Sequence, residues 1–320
     1  MRLIMMGTGP FAAPTFAALF HTSHEMAALV TQPQRPSSGK KRPPESPLRP
    51  IAREHDVPVF DPVSVNTPEA RERLATWKPD LFVVADYGQI LSGETLACAR
   101  LGGVNLHGSL LPKYRGAAPI NWAIYHGERE TGVTVIHMTP RVDAGPALSQ
   151  ARLEIGPDED AVELEERLAT LGASLVVETI DSLERGEVRE VPQDVTQATR
   201  APRLKKRDGQ VDWRRTAQQL RDQVRALEPW PKTWTHWHRP AGRPLRVLLG
   251  SVEVRPAGGN GQPGEVIAAT GDALVIATGE GELVIGSVQP EGKRLLSAAE
   301  FLRGYPVQPG ELFGPVDAER

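Results

Sequence analysis

Short apolar runs alternate with amphipathic stretches through the first half of the chain. The segment 81–85, LFVVA, is continuously apolar, which is typical of a strand buried on both faces of a parallel sheet. The same criteria predict further strands at 3–6, 26–30, 57–60, 104–107 and 133–137, and helices at 12–20, 51–55 and 68–77. Repeated β–α units of this length predict an α/β domain with an open, right-handed, mostly parallel sheet.

The pattern changes in the second half of the chain. A long amphipathic helix is predicted at 158–184, and Gly186 lies just beyond its end. After a connector and a helix at 216–227, short strands separated by Gly and Asp turns predict a small β-barrel, at 245–249, 264–269, 273–278 and 282–288. A length of 320 residues favours two domains. We predict an N-terminal domain at 1–188, a linker at 189–208 and a C-terminal domain at 209–320.

The composition narrows the class of protein. Cys98 is the only cysteine, so the chain forms no internal disulfide and has no thiolate cluster for a metal; we interpret it as a packing residue. The first apolar stretch is too short for a signal peptide, and no window approaches ~18 uninterrupted apolar residues. We therefore expect a cytoplasmic protein that does not cross a membrane.

The distribution of charge is more informative than its sum. The net charge is −3, but thirteen basic residues face only four acidic ones between Arg200 and Arg246. Such an excess is compatible with a surface for a polyanion and, equally, with a solvated linker and helix face. Four tryptophans crowd into the same region, where they either stack on nucleotides or form a core: Trp213, Trp230, Trp234 and Trp237.

The segment 103–121 carries the clearest chemical signal. Asn105 and His107 lie two residues apart at the end of a predicted strand, so their side chains share one face. An amide and an imidazole at a strand end are suited to stabilise a developing oxyanion and to move a proton. Asp143 lies in the loop after the strand at 133–137, and we expect it to approach His107 if the two strands are neighbours.

Three other candidate sites are weaker. Gly7-Thr8-Gly9-Pro10 follows a strand as a phosphate-binding turn does, but it lacks a third Gly and an acidic residue for a ribose, so we interpret it as a tight turn. Ser109 has no Gly-x-Ser-x-Gly context, which argues against acyl-serine chemistry. The remaining histidines show no metal-ligand spacing.

Several of these stretches carry a family resemblance. The segment 104–112, VNLHGSLLP, together with the Asp-Ala-Gly of 143–145, resembles the signature of the folate-dependent formyltransferases. Within that superfamily, the chain is similar over nearly its full length to the members that act on methionyl-tRNA, through 7–13, 31–36, 114–120, 212–213 and 229–231. The resemblance implies a Rossmann-like N-terminal domain, a linker and a C-terminal barrel of OB type that grips tRNA.

The resemblance also implies a function and its residues. The chain would transfer the formyl group of 10-formyltetrahydrofolate to the α-amino group of methionyl initiator tRNA, and no metal or nicotinamide is implied. The sequence does not encode the oligomeric state, and we take the chain to be a monomer. Asn105, His107 and Asp143 would be catalytic. The folate would be bound by Gly88, Gln89, Ile90, Leu91, Ser109, Leu110, Leu111, Pro112, Thr139, Pro140, Arg141 and Val142. The tRNA would be bound by Arg35, Lys40, Lys41, Arg42, Arg203, Lys205, Lys206 and Arg207.

One stretch departs from the family pattern. The loop at 36–42, PSSGKKR, is shortened and lacks the family's Arg between Gly residues, and Gln34 replaces a frequent acidic residue. Two other functions stay open at this point. A formyltransferase for an amino-sugar nucleotide has little use for a basic linker, so titration with tRNA separates the two enzymes. A non-catalytic RNA-binding protein is disfavoured by the complete set of Asn105, His107 and Asp143.

Overall fold

The computed structural model describes residues 1–34, 44–256, 258 and 261–316. They divide into two compact units. The first unit holds residues 1–120, 130–155 and 163–203, and the second holds 121–129, 156–162 and the residues from 204 onward. Residues 189–203 of the predicted linker therefore pack within the first unit. The domain borders given above stay a prediction.

The first unit is built around one large sheet. The elements up to residue 201 are β1 (Arg2–Gly7), α1 (Ala13–Leu19), β2 (Glu25–Val30), α2 (Leu48–Glu54), β3 (Val59–Phe60), α3 (Pro68–Thr76), β4 (Leu81–Ala85), α4 (Gly93–Leu96), β5 (Gly103–His107), β6 (Arg115–Gly116), α5 (Pro119–Tyr125), β7 (Glu130–His137), β8 (Ala147–Glu154), α6 (Ala161–Glu184) and β9 (Arg200–Ala201). Seven strands form the sheet in the order β3-β2-β1-β4-β5-β7-β8.

The pairing confirms the predicted α/β class and adds one strand. The five strands from β3 to β5 are parallel, whereas β5 with β7 and β7 with β8 are antiparallel. The sequence analysis was wrong to end the strand list at 133–137, because it missed β8. This edge strand is only partly buried, and its alternating polar positions gave no continuous apolar run.

Burial explains why the central strands form where they do. All five residues of β4 are buried, as its unbroken apolar sequence predicts. The long helix α6 covers one face of β5: a Cβ placed on Gly172 would lie 2.6 Å from Cδ2 of Leu106. Since side chains alternate along a strand, Asn105 and His107 point to the opposite face.

The second unit is mostly antiparallel β-structure. Its further elements are α7 (Ala217–Ala226), β10 (Thr233–His238), β11 (Leu245–Leu249), β12 (Val252–Arg255), β13 (Val266–Thr270), β14 (Ala273–Ala277), β15 (Glu282–Ile285), β16 (Ser287–Pro290), β17 (Leu296–Ser297), α8 (Ala298–Gly304) and β18 (Leu312–Gly314). One sheet has the order β17-β16-β11-β10-β18 and the other β12-β15-β14-β13.

The two sheets enclose one core, in agreement with the predicted barrel. An antiparallel bridge between Glu265 and Leu312 links their edges, and the predicted strand at 282–288 is split at Gly286, where the chain passes from one sheet to the other. The sequence analysis did not predict β10, because its inward positions include two threonines, Thr233 and Thr235, instead of apolar residues. No helix within the described ranges has the length and apolar character needed to cross a membrane.

Candidate active site

Asn105 and His107 stand at the carboxyl-terminal edge of the sheet, as the sequence predicts. Asn105 is paired with Val84 of β4 on one side and Ile136 of β7 on the other. His107 is 5% exposed, and Asn105 is half-buried. The amide of Asn105 makes no hydrogen bond within the described part of the chain. It is therefore a donor that a ligand can use.

Asp143 approaches His107, as the sequence analysis expected for neighbouring strands, but the antiparallel direction of β7 was not predicted. Because β5 and β7 are antiparallel, the end of β7 lies beside the start of β5, where His137 is paired with Val104. The following loop folds back and brings Oδ2 of Asp143 to 3.6 Å from Nδ1 of His107. The same oxygen accepts a hydrogen bond of 2.8 Å from the backbone N–H of Gly116. The imidazole and the carboxylate thus lie just beyond hydrogen-bond distance of each other.

The hydrogen bond made by Nε2 of His107 determines which ring nitrogen carries the hydrogen. Its Nε2 lies 2.9 Å from the carbonyl oxygen of Tyr114. A carbonyl only accepts, so Nε2 carries the hydrogen in this contact. In the neutral imidazole, Nδ1 then carries a lone pair, and this lone pair faces Asp143. His107 donates from Nδ1 only when the ring is doubly protonated.

The backbone around this pair is strained. Tyr114 has φ = 61° and Asp143 has φ = 50°, and both are non-glycine residues in the left-handed region. Such conformations cost about 1–3 kcal/mol each and persist only where the surroundings enforce them. Gly116, at φ = 130°, allows close contact, since a Cβ there would lie 2.4 Å from the carbonyl oxygen of Ala201.

Two of the three segments predicted to bind the folate, the loops 88–91 and 139–142, are close together. A Cβ on Gly93, at the start of α4, would lie 3.8 Å from Pro140, so the loop 139–142 lies against the element that follows the loop 88–91. Ile90 is 64% exposed and Val142 50% exposed, which gives each loop an apolar side chain in contact with solvent. Gly88, at φ = 82°, provides the turn that the first loop requires.

Side-chain amides anchor the first of these loops. Gln89 turns away from solvent, where its Oε1 accepts from the backbone N–H of Val65 at 2.8 Å. Asn66 donates to the carbonyl oxygen of Ile90 and accepts from the backbone N–H of Ser92, both at 2.8 Å. The loop backbone is therefore held in place, and Gln89 acts as an anchor instead of presenting its side chain. Leu91 is buried beneath the loop.

The turn at 109–112 is an internal feature. Ser109 is fully buried, and its hydroxyl donates to the carbonyl oxygen of Lys113 at 2.7 Å. Thr134 of β7 donates to the carbonyl oxygen of Ser109 and accepts from the backbone N–H of Leu111. Leu110 and Pro112 are half-buried. Any contact of Ser109 with a ligand would be made by its backbone.

The residues predicted to bind tRNA divide into two groups. Arg203, Lys205, Lys206 and Arg207 are exposed, and none forms an ion pair with an acidic side chain in the described ranges. Unpaired exposed cations suit phosphate contacts. Arg35, Lys40, Lys41 and Arg42 lie outside the described residues. No group of three His, Cys, Asp or Glu side chains among the residues that are described is placed to hold a metal ion.

Two carboxyl groups with raised pKa values were missed by the sequence analysis. Asp86 follows β4, and a Cβ on Gly9 would overlap its Oδ2. Desolvation of its carboxyl group raises the pKa of Asp86 to about 6, although the residue as a whole is exposed to solvent. Burial and the charge of Asp86 raise the pKa of Glu165 on α6 to about 7. The position of Asp86 directly after a buried strand was the signal that could have revealed it.

Comparison with known proteins identifies the family. The Formyl transferase family matches residues 1–180, and the Formyl transferase C-terminal domain matches residues 203–306. The chain therefore belongs to the formyltransferase family.

Its similar relatives are named for one acceptor. The methionyl-tRNA formyltransferase of Citrifermentans bemidjiense is 42% identical over 318 residues, which cover 99% of this chain and 98% of the relative. That of Desulfotalea psychrophila is 43% identical over 304 residues, which cover 95% of this chain and 93% of the relative.

Solved structures share the fold at lower identity. The N-formyltransferase from Helicobacter canadensis, in complex with folinic acid and dTDP-3-aminofucose, has a TM-score of 0.66 at 16% identity, covering 88% of this chain and 98% of its own. HypX from Aquifex aeolicus in complex with tetrahydrofolic acid has a TM-score of 0.63 at 19% identity, covering 99% of this chain and 51% of its own. These likenesses support the fold of both units.

Proposed function

We propose that this chain transfers the formyl group of 10-formyltetrahydrofolate to the α-amino group of methionyl initiator tRNA. The observation that carries the proposal is the free amide of Asn105 beside the pair His107 and Asp143, at the end of a buried strand. The methionyl-tRNA formyltransferases that match nearly the whole chain support this acceptor. The product is N-formylmethionyl-tRNA, used in translation initiation.

The reaction makes one C–N bond and breaks another. The neutral α-amine attacks the formyl carbon, and negative charge develops on the formyl oxygen. Collapse of this species breaks the bond to N10 of the folate, which takes up a proton while the amine loses one. The protein must therefore supply a donor to the oxygen and a path for the proton.

The three site residues fit these two tasks. The unengaged amide of Asn105 donates to the formyl oxygen. His107, when its ring is doubly protonated, donates from Nδ1 to the formyl oxygen, because its Nε2–H is held by the carbonyl oxygen of Tyr114. The carboxylate of Asp143 lies 3.6 Å from Nδ1 of His107 and relays the proton from the amine to N10 of the folate. Removal of one oxyanion donor typically costs about 10²–10³ in rate.

The loops beside β5 suit the formyl donor. A pterin ring has an amide-like edge that pairs with backbone N–H and C=O groups, and it has flat apolar faces. The anchored backbone of 88–91 offers hydrogen-bonding groups for the edge of the ring, and the exposed side chains of Ile90 and Val142 offer apolar surface for its faces. The donor supplies an activated formyl group; the loops orient it toward Asn105.

The basic segment before the barrel fits the acceptor. Replacement of Arg203, Lys205, Lys206 and Arg207 by Ala together should weaken tRNA binding. It should also lower the slope of log K against log salt by up to about 3.6, because each lost phosphate contact removes roughly 0.7–0.9 from the slope. A matched control replaces four arginines that are already paired with acidic residues: Arg53, Arg152, Arg185 and Arg294. Unchanged affinity and slope in the first variant would remove this segment from the interface.

The decisive experiment is single-turnover transfer from labelled 10-formyltetrahydrofolate to methionyl initiator tRNA, run beside His107→Ala and Asp143→Asn. Rapid transfer that collapses in both variants supports reaction, acceptor and site together. Binding of the folate without transfer to the tRNA would redirect the search to amino-sugar nucleotides. Tight tRNA binding without transfer to either acceptor would favour a non-catalytic RNA-binding protein.

We further propose that the enzyme acts as a monomer in the cytoplasm, where tRNA is charged and used. Light scattering coupled to size-exclusion chromatography tests the first point: the mass of one chain is expected, and the mass of two would refute it.

A further inference from the structure

The chain segment 191–201, which follows α6, runs along the loops that form the catalytic site. It pairs with β8 at one point, where the backbones of Val191 and Ala147 exchange two hydrogen bonds of 2.8 and 2.9 Å. It pairs again as β9, parallel to β6, with Ala201 opposite Gly116. We call residues 191–201 the strap. All of it belongs to the first unit.

Gln193 links the strap to the Asp143 loop. Its side-chain N–H₂ donates to the carbonyl oxygen of Asp143 at 2.9 Å and to that of Gly145 at 2.7 Å. Its Oε1 accepts from Nη2 and Nε of Arg115 at 2.7 and 3.1 Å. One half-buried amide therefore uses all of its groups to join the loop that carries Asp143 to the strand β6.

Thr199 fixes the other side of the site. Its hydroxyl accepts from the backbone N–H of Tyr114 at 2.8 Å, and its carbonyl oxygen accepts from the backbone N–H of Arg115 at 2.9 Å. Tyr114 in turn presents the carbonyl oxygen that accepts from His107. The strap thus contacts the backbone partners of both His107 and Asp143.

We propose that Gln193 is a positioning residue for catalysis, which acts by holding Asp143 at His107. This inference rests on the proposed function. The physical reason is the strained backbone of Asp143, at φ = 50°, which relaxes unless its surroundings hold it. Gln193 binds the carbonyl groups on either side of Ala144 and so fixes the bend of the loop.

The expected effect is on rate and not on binding. A displacement of a catalytic group by about 1 Å can cost about 10²-fold in rate. Gln193→Ala should therefore lower the single-turnover rate by up to about 10²-fold. The KM for the formyl donor and that for the tRNA should change by less than about twofold, because within the described part of the chain Gln193 makes no hydrogen bond to a residue predicted to bind the folate or the tRNA.

Two further variants separate positioning from general support. Gln197→Ala is the matched control, since Gln197 lies in the same strap, is exposed and, among the described residues, forms hydrogen bonds only with Asp194. Gln193→Glu keeps the acceptor for Arg115 but loses both donors to the Asp143 loop, so it should be at least as slow as Gln193→Ala. A normal rate in Gln193→Glu would overturn the proposal.

The double variant Gln193→Ala/Asp143→Asn gives the sharpest test. If Gln193 acts through Asp143, its removal should have little further effect once the carboxylate is gone. Equal fold-losses in the presence and absence of the carboxylate would contradict the inference and indicate a structural role. If the unmodified chain transfers no formyl group to methionyl-tRNA, the proposed function fails; if it does and Gln193→Ala is as fast, only this inference fails.

Discussion

Glu165 lies on α6 with its carboxyl group partly buried and within electrostatic range of Asp86. Burial is the main cause of its raised pKa, and the charges of Asp86 and Glu166 add to it. A carboxyl whose pKa is higher in the folded chain than in the unfolded one stabilises the fold while it is protonated. That contribution is complete below its ordinary pKa of 4.5 and is lost as the pH rises through about 7.

The size of the effect follows from the two pKa values. A pKa difference of one corresponds to about 1.4 kcal/mol, so the change from 4.5 to about 7 sets an upper limit of roughly 3 kcal/mol. Because Glu165 is only half-buried, solvent screens part of it, and about 1–2 kcal/mol is a realistic expectation. Glu165→Gln removes the charge and keeps the shape. It should therefore raise the free energy of unfolding by about 1–2 kcal/mol near pH 8 and leave it unchanged near pH 4.

Differential scanning calorimetry of both proteins across this pH range provides the measurement. Glu178→Gln, an exposed position on the same helix, controls for the loss of a surface carboxylate. A Glu165→Gln protein that is equally stable at every pH, or less stable at high pH, would refute the argument from burial and like charge.

Two other substitutions test the packing around β5. Gly172→Ala should destabilise the fold by about 1–3 kcal/mol despite the better helix propensity of Ala, because the new Cβ lies 2.6 Å from Leu106; a gain in stability by urea unfolding would contradict this. Thr134→Val should destabilise by about 1–3 kcal/mol, since it removes the acceptor of the Leu111 N–H and the donor to the Ser109 carbonyl oxygen. Unchanged urea unfolding of this variant would show that water replaces the hydroxyl.

Features that depend on the local spacing of apolar and polar residues could be predicted from the sequence. The unbroken apolar run of β4 predicted a buried parallel strand, and the two-residue spacing of Asn105 and His107 predicted that both face the same way. The helix α7 begins and ends within one residue of the predicted limits, where Thr216 caps its start and Pro229 stands beyond its end.

Features that depend on distant contacts were not predictable in the same way. The approach of Asp143 to His107 was expected only if β5 and β7 are neighbours, and no local pattern encodes their antiparallel pairing or the loop that folds back. Gln193 resembles any polar residue of a connector until its partners are known. The inward threonines of β10 were missed because their hydroxyls are satisfied by remote groups: Thr235 accepts from the indole of Trp213.

The pairing of β9 with β6 limits how the two parts of the molecule can be exchanged between relatives. A hybrid joined at residue 188 would take residues 191–201 from one parent and the Asp143 loop from the other, so their hydrogen bonds would depend on a chance match. A hybrid joined after Arg203 would inherit both from the same parent. A junction for recombination in this chain should therefore be placed after the strap and not at the end of the long helix α6.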